Sequence, residues 1–188
     1  MTSNHTSTPS QSNHVSGFSG LLVALQNDYH TKSASVCNLL DRLIAQEKGL
    51  SAIEKWRTLL EENLTSFSSC LDSCLEMMYV LEEKVRIGQL SLANEQVCTD
   101  VAETEAKVLS TLTVLQRLNS EALQPVFTLS LPSLLKVLCS DSKALLRDAI
   151  TQQTDHTQYF SNELQHLAIM LKERNKTITH PLDEFHPE

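Results

Sequence analysis

Apolar residues return every three or four positions along most of this chain, a step that places them on one side of a helix. Leu21, Leu22, Leu25, Tyr29, Val36, Leu39, Leu40, Leu43 and Ile44 predict a first helix over about 20–47. Gly49 suits the left-handed position that follows a helix. Ser51 and Glu54 have capping-box spacing with Leu50 just outside, so a second helix starts there.

That second helix carries the clearest stripe. Leu60, Leu64, Phe67, Leu71, Cys74, Met78, Leu81 and Val85 follow steps of 4, 3, 4, 3, 4, 3 and 4, and Ile53 and Trp56 extend the same face upstream. A seam of this kind stays aligned over several turns and drives long-helix packing on a neighbour. It makes Trp56, Leu60, Leu64, Phe67, Leu71, Met78, Leu81 and Val85 the candidate interface residues, although Trp56 also reads simply as the start of a core.

Gly88 ends this helix, and Ser91 is a cap for a third that runs to about Ala122 through Val97, Val101, Val108, Leu112, Leu115 and Leu118. Pro125 and Pro132 bracket VFTLSL, expected as a loop or extended segment that packs down and re-aims the chain. Pro132 then fits the first turn of a fourth helix reaching about Lys176. Within it TQQTDHTQ, 151–158, replaces the seam with Gln152 and His156, which predicts a bend or a stretch leaving the bundle.

The fold class that follows is all-α: three to four long amphipathic helices in an elongated antiparallel bundle or coiled coil over 17–179. Residues 1–16, rich in Ser, Thr and Asn, are expected as a disordered tail, and 180–188 as a flexible acidic one. Period-two alternation is scarce, and four Gly and five Pro give little turn material for a sheet.

Charge narrows the partners. Fifteen Lys plus Arg against 23 Asp plus Glu leave a net charge of -8, which opposes docking on a phosphate backbone or an anionic leaflet. No apolar run approaches the length of a membrane span, and the first residues carry no secretory pattern, so a cytoplasmic or nuclear location is expected. Five cysteines form an odd set, which in a reducing compartment means free thiols.

Candidate chemistry is sparse. Four scattered glycines build no phosphate cradle, and no serine sits in a GxSxG elbow. Cys70 and Cys74, four apart, could bind metal or form a redox pair, but no His or second Cys pair nearby completes four ligands, and packing explains them better. Glu163 and His166 make one Glu-x-x-His pair where a di-iron bundle needs two. His180 and His186 near Asp183 and Glu184 sit in a proline-broken end that is poorly preorganised for a metal ion. No catalytic residue, cofactor or metal is therefore predicted.

The function expected is a non-enzymatic helical scaffold or adaptor subunit of a multi-protein complex, of cytoskeletal, kinetochore or tethering type, whose partners are other helical subunits. Long seams that four helices cannot all cover would require them. The alternative is a self-contained four-helix bundle that binds a small apolar ligand or carries an active site, with Gln152, Gln153 and His156 as scattered polar candidates.

Overall fold

The computed structural model describes residues 17–88 and 95–179, apart from the side chains at 85, 95–98 and 174–179. The two expected tails, the Ser91 cap and the Val85 side chain lie outside the described residues. Among the described residues every regular element is a helix: α1 (Phe18–Gln46), α2 (Ser51–Gly88), α3 (Glu95–Glu121), α4 (Gln124–Thr128), α5 (Leu131–Val137) and α6 (Ser140–Thr179).

The four long helices close a ring in which α1 and α3 each pack on both α2 and α6. Every neighbouring pair is antiparallel. Gln26 Nε2 donates to Asp72 Oδ1 at 2.7 Å and Arg57 Nε to Asp41 Oδ1 at 3.0 Å, so α1 and α2 run in opposite directions. Asn63 Nδ2 reaches Leu118 O at 2.6 Å and Lys84 pairs with Asp100 at 3.7 Å between α2 and α3. Gln116 Nε2 donates to Ser161 O at 2.8 Å between α3 and α6, and Ser35 Oγ to Gln152 Oε1 at 2.9 Å between α1 and α6. This is the up-down-up-down bundle that the periodicity predicts.

Two apolar clusters fill the ring. One joins Phe18, Leu22, Leu25 and Tyr29 to Phe67, Leu71, Cys74 and Met78, with Val108, Leu112, Leu115, Phe160 and Leu164 closing it from the other side. The second gathers Val36, Leu40, Leu43, Ile53, Trp56, Leu60, Leu145 and Leu146 near the α1–α2 turn. The sequence supplies both, because each stripe that shows a step of three or four faces the same axis. Tyr29 stacks on Phe67 with ring centroids 3.6 Å apart and meets Phe160 edge-on at 4.8 Å, which ties three helices through one side chain. Such pairs contribute about 0.5–1.5 kcal/mol each beyond area burial.

Between the clusters the ring has a polar waist. Tyr29 Oη donates to Asn63 Oδ1 at 2.7 Å, and Asn63 passes the contact on to the Leu118 carbonyl. Buried Asn119 donates through Nδ2 to Thr157 O at 2.8 Å, and buried Gln153 donates through Nε2 to Thr157 Oγ1 at 3.0 Å.

This waist corrects the expectation for 151–158. Helix α6 runs unbroken through TQQTDHTQ, because Gln153 and Thr157 find hydrogen-bond partners inside the bundle and Gln152 meets Ser35 of α1 at its surface. The region around the two prolines also differs. VFTLSL is a non-helical link only at Leu129 and Ser130, and the rest is helical: Pro125 lies in the first turn of the short α4 and Pro132 in that of α5. The fourth long helix does not start at Pro132; Leu138 is extended at φ -83° and ψ 141°, and α6 begins at Ser140. Glu47 Oε1 accepts from the Cys139 amide at 3.3 Å and from Ser142 Oγ at 3.1 Å, so the end of α1 caps the start of α6. These bonds hold the Glu47 carboxyl below its ordinary range. At the other turn Gly49 takes φ 81°, as expected, and the Leu50 carbonyl accepts the Ile53 and Glu54 amides, so Leu50 stands at the N-cap in place of Ser51.

Leu71→Asp places an unpaired charge among fully buried neighbours and abolishes the cooperative thermal transition, as followed by circular dichroism. Asn119→Ala leaves the helix content intact and lowers stability by about 1–3 kcal/mol, because the Thr157 carbonyl loses its buried donor.

Candidate protein-binding surface

The seam of α2 faces inward. Trp56, Leu60, Phe67, Leu71, Met78 and Leu81 are all buried, and Leu64 is half-buried against the first cluster. Their contacts are with α1, α3 and α6 of the same chain, so the surface open to a partner lies elsewhere.

Cys70 and Cys74 also pack inward. Cys74 is buried in the first cluster, and Cys70 is half-buried with Sγ 3.9 Å from the Thr111 carbonyl. Burial pushes the Cys74 thiol up to about 12, with a smaller contribution from neighbouring Cys70, and burial raises Cys70 as well. A site that activates sulfur lowers its pKa, and this one does the reverse. Among the described residues no three His, Cys, Asp or Glu side chains are grouped to hold a metal ion. His180 and His186 lie outside the described residues. His156 is half-buried, and burial and then Lys32 lower its pKa. No described helix is long and apolar enough to cross a membrane.

What remains is the outer face. Large apolar side chains stand in water at three places besides Leu59, which lines a groove of its own. Phe127 is 72% exposed and Val137 69% exposed on the α4–α5 elbow. Tyr79, Val80 and Ile87 are exposed toward the end of α2. The third place is a groove between α1 and α6 of about 410 Å³, with Leu21, Leu25, Leu167 and Met170 at one end and Asp28, Glu163 and Tyr159 toward the other. Lys32 Nζ sits 3.6 Å above the Tyr159 ring and 3.3 Å from Asp28 Oδ2, which closes that end. Partial burial, with the Glu163 and Asp28 carboxylates beside it, raises the Tyr159 hydroxyl. Glu163 and His166, the Glu-x-x-His pair of the sequence, line this groove.

A second groove, of about 640 Å³, runs between α2 and the α3–α4 corner and is lined by Trp56, Leu59, Asn63, Leu118 and Pro125. The buried Trp56 indole Nε1 has no hydrogen-bond partner there or elsewhere among the described residues. Sequence reasoning missed both grooves. The signal was present as doubled apolar positions, Leu21–Leu22, Tyr159–Phe160 and Ile169–Met170, where one residue of each pair must fall outside a single core stripe.

Replacing Cys70 and Cys74 together by alanine lowers stability by about 1–2 kcal/mol and preserves the fold. Among the described cysteines of the unaltered chain a thiol reagent modifies exposed Cys139 first, and Cys74 only as fast as the bundle opens. Because the folded pKa of Cys74 lies above its ordinary 9.0, its contribution to stability is intact below pH 9 and falls as pH rises from there toward 12. Thermal melts across that window detect the slope, and Cys74→Ala reduces it, leaving the part due to Cys37, Cys70 and Tyr29, which burial also raises. Comparison with protein-family models, with curated proteins and with solved structures gives no match for this chain.

Proposed function

We propose that this chain is a non-enzymatic helical scaffold or adaptor subunit that holds other helical proteins in a multi-protein complex, working in the cytoplasm or nucleus in an assembly of cytoskeletal, kinetochore or tethering type. One observation carries the reading. The bundle covers its own seams and still leaves Phe127, Val137, Ile169, Tyr79, Val80 and Ile87 exposed on its outer face. Apolar groups of that size gain most from burial against another protein surface. The net charge of -8 favours basic partners and disfavours nucleic acid.

The groove beside Trp56 favours a second reading, a small apolar ligand with an acceptor oxygen. Its indole donor is buried without a partner, a condition that a ligand carbonyl would relieve. Native mass spectrometry of the chain isolated from its own cells separates the two. The scaffold reading expects the mass of the chain together with one or more protein partners in fixed ratio. The chain alone, or the chain with a small-molecule adduct, overturns it.

A further inference from the structure

Of the surface features outside the core, the α1–α6 groove says most about an occupant. Its two walls are antiparallel helices, and its lining on α1 from Leu21 to Asp28 spans roughly 11 Å, about two turns of a helix lying alongside. At the open end Leu21 is 41% exposed and Met170 37% exposed, with Ile169 next to them at 55%. Farther along, Asp28 and Glu163 bring carboxylates into the same groove from opposite walls. Asp28 is paired with Lys32, whereas no salt bridge engages Glu163 among the described residues.

We infer that the α1–α6 groove docks an amphipathic basic helix of a partner protein, with its apolar residues on Leu21 and Met170 and a Lys or Arg directed to Glu163. This rests on the scaffold reading and names the site and the partner chemistry. A groove between two helices receives a third through anchors at i, i+3 or i+4, and i+7. With Asp28 already held by Lys32, the Glu163 carboxylate selects the charge. A second copy of this chain would bring the same two carboxylates and the same net charge of -8 to the contact, so self-pairing works against itself. A neutral apolar helix would leave Glu163 desolvated without a partner.

The test uses a synthetic Leu/Lys peptide of about 18 residues with helical apolar spacing, alongside a peptide of the same composition with that spacing scrambled. Binding is measured by fluorescence anisotropy. Glu163→Lys and Met170→Asp change groove positions, and Glu76→Lys makes the same charge change at an exposed position on α2. All three are confirmed folded by their melting curves.

The unaltered chain binds the helical peptide, more weakly as salt rises, and Glu163→Lys and Met170→Asp each weaken it about tenfold or more, which is at least about 1.4 kcal/mol. Glu76→Lys changes it less than about threefold by comparison. Three results overturn the inference: no binding by the unaltered chain, equal binding of the scrambled peptide, or equal losses in Glu163→Lys and Glu76→Lys. Isolating the double groove variant from cells separates the two levels. A protein complex that survives Glu163→Lys with Met170→Asp removes the groove assignment and keeps the scaffold reading, whereas no complex with the unaltered chain removes that reading.

Discussion

The bundle turns on the hydrogen bonds at its waist. Apolar stripes decide which face of a helix is covered, but leucine against leucine tolerates a slip of one turn, since dispersion is indifferent to which methyl groups meet. Polar side chains are not indifferent. Tyr29 with Asn63, Asn63 with the Leu118 carbonyl and Asn119 with the Thr157 carbonyl are bonded between helices in the register observed, and sliding α3 by one turn would strand the buried Asn119 amide. An unmet buried group costs about 1–3 kcal/mol, which is a large part of the margin by which a domain of this size stays folded. The apolar clusters above and below the waist supply the driving force, and the waist selects one arrangement from among those the clusters would accept.

Closing the ring changes where function can reside. Residues such as Phe67, Leu71 and Met78 are spent on the interior, so among the described residues a partner meets what lies outside it: the elbow at Phe127 and Val137, the end of α2, the groove between α1 and α6, and the groove beside Trp56. The thiols belong to the interior as well. Burial raises Cys70 and Cys74, which suits small apolar filler and opposes nucleophilic work. Lys32 bridges Asp28 and the Tyr159 ring, so one end of the groove is already closed by charge while Glu163 remains available at its side.

The helices were legible because each has a single repeating stripe and stop signals such as Gly49 and Gly88. Their pairing was not, since a seam says that a face is covered and not by what. The Leu60-to-Leu81 seam therefore pointed as readily to a foreign helix as to α1 and α3. Gln152 misled for a related reason: a polar residue in a stripe looks like a break until its partner, here Ser35 of α1, is known. At the elbow, two prolines announced a change of direction, but the start of α6 at Ser140 depended on Glu47, which caps Cys139 and Ser142 from more than ninety residues away in sequence. The grooves escaped notice because they are made by pairs of helices, and doubled apolar positions acquire meaning only once neighbours are assigned.

Light scattering on a chain with its waist replaced by leucine, Asn63→Leu, Asn119→Leu and Gln153→Leu, tests the claim that polar contacts select the register. The unaltered chain is expected as one monomeric mass at every concentration, and the leucine variant as a helical but mixed population of masses. A leucine variant that stays a single monomer, melting in one sharp step, would contradict the account.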